Sequence, residues 1–537
     1  MISFCSNTGP QIGTLTGTVQ LEGEYNHSGI IIGVYELAEL DPDIVEANQK
    51  WPHIGVIINQ HTEFDHRFGT LVKTGETDAS GYFEINNIPT GIYNVATIKD
   101  SFGFRYIYEI SISEGDNSLS SLMKQSPLND CFEETDRNFE MNNQPAGGQV
   151  EKCKISQWAD KLKNESLSSP HYSLSIIHYT LDSKHDTPKA NIILYPETIV
   201  SNDITSPTVF ESHHHYIIEQ DIIVDDELTI EPGAVIRLNE GVKMTIMGPL
   251  TAVGQEDNFI WFTSNDSIFH FTLSILHSPP KSDLVLYNRI ELEGNPDKEV
   301  QWCKFDWAGT GLLNHVNGFE ISDCIFRDSQ CGFKAEDVDS AFCGKLLCED
   351  ISNEEQAGIN YLQVLDGLIE KNFVNNCENG IEIKDGSNPE VKNTYITDCE
   401  YGIRISYYSS PHVHNNTFFN CENAVLNTNH SCSTVESNNF ETNNGVVAYC
   451  CNNYTLEVHN NNFNCLTYNL ITLPYGSSPH PTDINAEYNY FFTLDQFEIE
   501  NKIYDKNDVN PSQQELLGEV FFIPFSQQKF LNAGILD

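Results

Sequence analysis

Three residues in the second half of the chain have side chains that hold transition metals, at nearly equal spacing. His414, Glu436 and His459 are separated by 22 and 23 residues, and each directly follows a valine. Imidazole and carboxylate are ligands that suit zinc. If strands with that spacing lie one above another, the three side chains form an outward column that could hold a divalent cation. Three ligands in a straight column bind a metal poorly, however, so a solvated surface of alternating charge is the favoured interpretation and the cation site is the alternative.

A second outward column is apolar. Leu426, Val447 and Ile471 occupy the outward position of three consecutive strand patterns. A contiguous apolar strip on a water-facing surface is typical of a contact area. We predict that this strip is covered, either by the C-terminal segment of the chain or by a partner, which can be a second copy. The run His213-His214-His215 has no spacing that one strand face could use for ligands, so a structural role is expected.

Both columns depend on a repeat between residues 369 and 490. An aromatic residue preceded by Asn, or by Asn and one further residue, recurs every 22 to 27 residues. The six aromatics are Phe373, Tyr395, Phe418, Phe440, Phe463 and Tyr490. Short strand patterns flank each of them, without the 3.6-residue periodicity of a helix. A unit of this size cannot bury an apolar surface alone, so the units must stack on one another.

Stacking predicts that like residues lie on like inside the coil. Val391, Val413 and Val435 should point inward and form one column. Two cysteine columns are expected in the same way, one of Cys377, Cys399 and Cys421 and one of Cys303 and Cys324. Like atoms on adjacent turns lie about 4.8 Å apart, and parallel side chains need not meet the torsion of a disulfide. We therefore expect reduced thiols that act as small apolar residues, with disulfides as the alternative.

Over residues 201–494 the pattern resembles the right-handed parallel β-helix superfamily, the pectate-lyase-like solenoids. The run Leu228-Thr229-Ile230-Glu231-Pro232-Gly233 is also similar to the first coils of many extracellular bacterial β-helix proteins. The resemblance implies an all-β solenoid and leaves the activity open. Between Phe326 and Phe373 the aromatic spacing is interrupted, and residues 337–368 are expected to include an excursion from the coil.

Residues 13–115 are predicted to form a separate β-sandwich. The sequence pattern begins with an Asp-x-x-Gly turn, followed by a strand from Tyr82 to Ile85. A turn at Pro89 and Gly91 then leads into a strand from Ile92 to Ile98, which is predicted to pair back with the first strand. This order resembles the carboxypeptidase regulatory-like domain, which implies a spacer without catalytic residues. Residues 36–70 interrupt the pattern as a long insertion of unassigned role.

The remaining segments are predicted to connect, anchor and cap. Residues 116–200 form an irregular linker, with Cys131 and Cys153 as the expected disulfide in an oxidising compartment. Residues 495–537 begin with a helix that Asp495 caps, and they cover the open end of the solenoid. Residues 1–12 resemble the end of a bacterial lipoprotein signal, which implies a lipid on Cys5, although Phe4 departs from the small residue that normally precedes it.

Composition limits the classes of partner. The chain has 77 acidic and 29 basic residues and a formal charge of −48. This balance excludes a general nucleic-acid binder, because too few cations are present to neutralise phosphates. No run of 18 apolar residues occurs, so no membrane span is predicted. The acidity favours an extracellular or cell-surface protein.

The motifs of familiar β-helix enzymes are missing. Polygalacturonases combine Asn-x-Asp, Asp-Asp, His-Gly and Arg-x-Lys. Here the only Asp-Asp is Asp225-Asp226, in a turn, and Arg404 is not followed by the required lysine. The Arg-x-Pro-x-x-Arg setting of pectate lyases is absent as well. We therefore predict a non-catalytic binding or structural scaffold for glycan or protein contacts. The alternatives are a polysaccharide-active enzyme with an unfamiliar motif and a subunit that self-assembles through the apolar strip.

Overall fold

The computed structural model describes residues 11–123, 192–265, 286–294, 296–353, 356–449, 455–474 and 481–536. Half of the residues lie in strands and 7% in helices, and the strands form an N-terminal sheet region and a β-solenoid of about 11 turns. The predicted all-β fold is confirmed. Cys5, Cys131 and Cys153 lie outside the described residues, so their predicted lipidation and pairing stay predictions.

Two four-stranded sheets form the N-terminal sandwich. One contains Ile12–Leu21, Tyr82–Pro89, Gly115–Ser118 and Ile192–Leu194; the other contains Ile31–Tyr35, Leu71–Glu76, Gly91–Lys99 and Gly103–Ile112. Apolar residues of both sheets and of the helix Leu119–Met123 share one core. The predicted hairpin is wrong, because Tyr82–Pro89 pairs with Ile12–Leu21 while Gly91–Lys99 pairs within the other sheet. The turn between them therefore carries the chain from one sheet to the other.

The solenoid has three faces, built from parallel strands. The first, which we call the docked face, consists of Thr198–Val200, His215–Ile218, Val235–Leu238, Ile260–Ser264, Cys303–Asp306, Ile325–Arg327, Leu347–Glu349, Phe373–Asn375, Tyr395–Thr397, Thr417–Phe419, Asn439–Glu441 and Asn462–Phe463. The other two faces belong to one 23-stranded sheet, because the long strands Phe333–Gly344 and Ile359–Glu370 run through both.

We name these two faces after an outward residue of each. The Arg404 face contains Ile222–Val224, Lys243–Ile246, Tyr287–Leu292, Ala308–Asn314, Asn379–Lys384, Tyr401–Ile405, Asn423–Thr428, Asn444–Tyr449, Tyr468–Thr472 and Ile503–Tyr504. The His412 face contains Thr208–Phe210, Leu228–Ile230, Leu250–Val253, Lys298–Gln301, Phe319–Ser322, Glu390–Lys392, His412–His414, Thr434–Glu436, Thr455–His459, Asp483–Asn485 and Val520–Phe521.

The interior is stacked as predicted. Val391, Val413 and Val435 are aligned on consecutive strands and fully buried. The cysteines of both predicted columns are buried and free, so the reduced stacks are confirmed. The aromatics Phe418, Phe440 and Phe463 stack with ring centroids 5.0 and 4.6 Å apart. Each coil thus buries its apolar residues against like residues of the next.

The repeat departs from the expected aromatic pattern in two ways. The strands within residues 337–368 keep the register of the coil, and Cys348 aligns with Phe326 in the interior place of an aromatic. Phe333 aligns with Ile359, 26 residues later, whereas Ile359 aligns with Ile381, 22 residues later, so the connection after Leu347–Glu349 is longer and the expected excursion stays a prediction. Phe373 and Tyr395 are one position out of register with Phe418, which aligns with Ile396. A shift of one residue turns a side chain to the other side of a strand. Phe373 and Tyr395 therefore point away from the interior and meet the N-terminal region.

The insertion at residues 36–70 docks the sandwich onto the docked face. It contains the helices Pro42–Lys50 and Gln60–Glu63. Ile44 and Ile54 pack against Leu347 and Phe373 of the solenoid, and the backbone N–H of Gly55 donates to the carbonyl of Lys371 at 2.7 Å. The insertion is therefore the attachment of the sandwich to the coil, a role that its sequence did not reveal.

The C-terminal segment continues the coil and then turns back along it. The helix is Gln496–Glu500, with the predicted N-cap at Asp495. The helical spacing of the sequence runs from Gln496 to Tyr504, but the helix ends earlier, because Ile503–Tyr504 pairs as a strand of the Arg404 face. Val520–Phe521 extends the His412 face in the same way. The 3₁₀ helices are Lys506–Asp508 and Gln514–Leu516. Residues 530–536 then run along the docked face, where the carbonyl of Leu536 lies 3.1 Å from Nε2 of His53 in the insertion.

Candidate functional site

The outward side of the His412 face carries a ladder of imidazoles and carboxylates on four neighbouring strands. We call it the His–Glu ladder; its members are Glu390, Lys392, His412, His414, Glu436, Glu457 and His459. Alternate residues of a strand point to opposite sides. Because Val391, Val413 and Val435 are buried, the side chains of the residues next to them on each strand point outward. Every member is partly exposed, so the ladder lies at the surface.

Each imidazole of the ladder contacts a carboxylate. The nitrogen-to-oxygen distances are 2.9 Å for His412 and Glu436, 2.7 Å for His414 and Glu390, and 2.6 Å for His459 and Glu457. The other oxygen of Glu390 accepts a hydrogen bond from Lys392 at 3.1 Å. Burial would raise the pKa of Glu390, but the hydrogen bonds from His414 and Lys392 outweigh it and lower that pKa. Glu390 is therefore held as a carboxylate, the form that binds cations.

Three of these side chains lie close enough to share one ion. Glu390, His412 and His414 each offer one ligand atom, and these atoms lie within 4.8 Å of one another. The rings of His412 and His414 stack, with centroids 4.3 Å apart. Tetrahedral zinc with bonds of about 2.0–2.2 Å places its ligand atoms roughly 3.3 Å apart. Small rotations of three surface side chains would therefore complete such a site.

The predicted trio of His414, Glu436 and His459 lies in one column but not in one site. The three residues are aligned on consecutive strands, so the two histidines are two strand spacings apart, about 10 Å. Their ring nitrogens turn to Glu390 and Glu457 instead. The close group takes only His414 from the predicted column and adds two residues of the adjacent one. Spacing along the chain could not show this, because side-chain rotation selects the partner.

A second acidic group, on the Arg404 face, is less available to a metal. It consists of Glu291, Glu293 and His315. Glu291 is buried and accepts hydrogen bonds from Lys243 at 3.1 Å and Arg289 at 3.2 Å. Burial would raise the pKa of Glu291, and these hydrogen bonds outweigh it and lower the pKa. A metal ion at Glu291 would have to displace both Lys243 and Arg289 from the carboxylate, whereas Glu390 is bonded to a single lysine, Lys392.

The predicted apolar strip is in register but enclosed. Leu426, Val447 and Ile471 align on consecutive strands of the Arg404 face. Val447 is 3% exposed and Ile471 8% exposed, while Leu426 is half-buried. Tyr504 continues the column beyond Ile471, and residues 530–536 lie on the docked face instead. Contact of a partner with this strip stays a prediction.

A cavity of about 120 Å³ lies where the sandwich meets the docked face, and it was not foreseen from the sequence. Strand Gly103–Ile112, helix Gln60–Glu63 and the early coils of the solenoid line it. His213 and His215, expected to be structural, line the cavity together with His61 of the insertion. No spacing rule joins segments so far apart. One indication of the cavity is present in the sequence: residues 36–70 and the run His213-His214-His215-Tyr216 are both rich in histidine and aromatic residues.

The comparisons with known proteins support the fold. A family model described as right handed beta helix region matches residues 312–478, about a third of the chain. No curated protein and no solved structure matches the sequence. Within the described residues, no helix combines the length and apolar character needed to cross a membrane. The chain therefore contains a right-handed parallel β-helix, and the resemblance of residues 13–115 to the carboxypeptidase regulatory-like domain stays a prediction.

Proposed function

We propose that the protein is a non-catalytic binding scaffold at an extracellular or cell-surface location, with the His–Glu ladder as its contact surface. In this proposal a divalent ion of the zinc class binds to Glu390, His412 and His414. The convergence of their ligand atoms within 4.8 Å carries the proposal. The strong negative charge of the chain supports it as well, because the summed field raises the local concentration of cations.

The bound ion would also select the partner. Zinc with three protein ligands keeps a fourth position for an outside ligand, and oxygen atoms of a glycan or of a protein side chain suit it. The β-helix holds the ladder on neighbouring parallel strands of one sheet. An extended ligand bound at the ion would also contact Lys392 and Glu436 on the neighbouring strands. We therefore propose a glycan or an extended protein segment as the partner.

Zinc titration by calorimetry tests the ion site. His412→Gln should weaken zinc binding roughly tenfold or more, since it removes a direct ligand. His459→Gln is the matched control: it removes an imidazole from the same surface but lies outside the close group. Loss of zinc binding in His459→Gln, with binding unchanged in His412→Gln, would instead support the column predicted from the sequence. Unchanged binding in His412→Gln, or no binding by the wild-type chain, would reject the proposed site.

A glycan array read with and without zinc tests the partner. We expect binding of the full chain that depends on zinc and is lost in His412→Gln. Product analysis on the bound glycans should find no cleavage, as expected for a scaffold. Detection of shortened products would instead establish a polysaccharide-active enzyme.

A further inference from the structure

The cavity between sandwich and solenoid has aromatic walls. Phe104, Tyr106 and Tyr108 line it from the sandwich, and Trp261 lines it from the docked face. The rings of Phe104 and Trp261 lie 5.7 Å apart, edge to face. Tyr106 and Tyr108 are half-buried, so the walls reach from the interior to the surface. Binding pockets for small molecules combine apolar walls of this kind with a few polar groups.

Two imidazole nitrogens of lining residues have no hydrogen-bond partner. Nε2 of His61 is buried and unpaired, while the ring is held against Tyr108 at a centroid distance of 4.0 Å. His215 is 1% exposed; its Nε2 lies 2.9 Å from the carbonyl oxygen of Phe104, and its Nδ1 is unpaired. An unsatisfied buried polar atom destabilises the folded state. Such atoms call for an explanation, and a bound ligand is one.

The lining is basic, although the chain as a whole is acidic. The positive charge comes from Arg105 and Lys304, and Asp257 is the one carboxylate among the described lining residues. The three lining histidines are neutral, because burial lowers the pKa of His61 and His215 and lowers that of His213 to about 3. Lys304 lies 3.7 Å from Asp306, which partly neutralises it. Burial lowers the pKa of Arg105 to about 10, with the phenol of Tyr195 opposing that effect, and the guanidinium donates to the carbonyl of Ile193 at 3.3 Å. This local charge favours an anionic ligand over a cation or a neutral molecule.

We infer that this cavity is a binding site for a small organic anion, whose charged group contacts Arg105 and His61 and whose apolar body lies against Phe104 and Trp261. The size agrees with one ring or a short branched chain. An engineered apolar cavity of about 150 Å³ holds benzene, and this cavity of about 120 Å³ is lined by half-buried side chains through which a ligand can extend outward. The site is separate from the His–Glu ladder and does not depend on it.

Benzoate and its neutral analogue benzamide are the probes, because they share a ring and differ in charge. Calorimetry on the full chain should detect benzoate, with binding about tenfold or more weaker for benzamide. Arg105→Gln should weaken benzoate binding by a similar factor, and Arg105→Lys should restore part of it. His61→Leu should weaken it as well. Lys73→Gln, which removes a cation from an exposed strand of the sandwich, is the matched control and should have no effect.

A second measurement covers variants that fail to fold. Crystals of the wild-type chain with 4-bromobenzoate should show the bromine beside Phe104 and Trp261. No benzoate binding at about 10 mM, a concentration that would detect even weak affinity, would overturn the inference. So would equal binding of benzamide, or unchanged binding in folded Arg105→Gln and His61→Leu. Loss of zinc binding at the ladder has no bearing on this outcome, so the two sites are tested separately.

Discussion

The side-chain oxygen of Asn438 accepts a hydrogen bond of 2.9 Å from the backbone N–H of Asn416, one coil before it. Its side-chain amide donates to the carbonyl of Val413 at 3.0 Å. Asn461 repeats these bonds toward Asn438, and Asn489 repeats them toward Asn461. We call this row of side chains the asparagine ladder. It lies at the corner between the His412 face and the docked face, where the backbone turns and its strand pairing is interrupted. Side-chain amides therefore replace the missing backbone partners at this corner.

Replacing Asn438 with Ala should destabilise the coil by about 1–3 kcal/mol, because the N–H of Asn416 would be left buried without a partner. Chemical denaturation of the variant and the wild type measures the difference. Asn26→Ala, in an exposed turn of the sandwich, is the control and should stay within about 0.5 kcal/mol. If Asn438→Ala unfolded at the wild-type midpoint, the asparagine ladder would not contribute to stability.

The repeat could be predicted from the sequence, but its register could not be fixed throughout. Asn372 is followed directly by Phe373, whereas Asn416 and Phe418 are separated by Thr417. The structure aligns Phe373 with Thr417, so the Asn residues, rather than the aromatics, mark equivalent positions. Aromatic residues suit either side of a strand when another element covers the outside. The insertion covers Phe373, and its position is a tertiary fact that no local pattern contains.

A buried ion-pair group joins the insertion to the docked face. Arg327 of the docked face lies 2.9 Å from Glu63 of the insertion and 2.7 Å from Glu349 on the next coil. Burial would lower the pKa of Arg327, but the two carboxylates outweigh it and raise that pKa. Arg327→Met leaves both carboxylates without their cation, and removing one partner of a buried pair typically costs about 3–5 kcal/mol.

We expect the loss to appear first as detachment of the insertion. Hydrogen exchange of peptides within residues 40–68 should accelerate strongly in Arg327→Met. Lys345→Gln breaks a pair of 3.6 Å between an exposed lysine and buried Asp323. Asp323 keeps its hydrogen bond of 2.8 Å from Gln301, so stability should change by less than about 1 kcal/mol. Equal exchange in Arg327→Met and the wild type would mean that apolar contacts of Ile44 and Phe373 alone hold the insertion.

The cysteine columns should resist chemical modification. Cys399 and Cys421 are buried, and their environment raises the pKa of both thiols. Because the thiolate is the reactive form, the folded chain should leave both unlabelled by iodoacetamide at pH 8. Cys432 is half-buried and should react earlier. Peptide mapping by mass spectrometry checks this, with labelling in denaturant as the control. Early labelling of Cys399 would contradict the stacked arrangement.

For the candidate site, the sequence predicted the position but not the partners. The period placed His414, Glu436 and His459 outward in one column, as the structure does. It could not show that His414 turns to Glu390, since rotation about side-chain bonds moves a ring nitrogen by several ångströms within one register. The cavity at His61 was beyond reach for another reason. It is formed between residues of the N-terminal region and residues of the solenoid that lie far apart along the chain.

The apolar strip allows a test that separates enclosure within one chain from contact between copies. Val447 is 3% exposed and lies between Leu426 and Ile471 on neighbouring strands. Val447→Lys would place a charge where water is excluded, and the coil should lose stability by about the cost of burying an unpaired polar group, several kcal/mol. Leu426→Lys is the matched variant, because that side chain is half-buried and a long lysine can extend to water.

If the strip is enclosed by its own chain, Val447→Lys lowers the unfolding midpoint far more than Leu426→Lys, and both variants keep the sedimenting mass of the wild type. If a second copy covers the strip, the exposed end of the column at Leu426 is the part that the copy reaches. In that case Leu426→Lys reduces the sedimenting mass at unchanged stability. The burial of Val447 and Ile471 within one chain favours the first result, because a partner could add little apolar contact to side chains that are already covered.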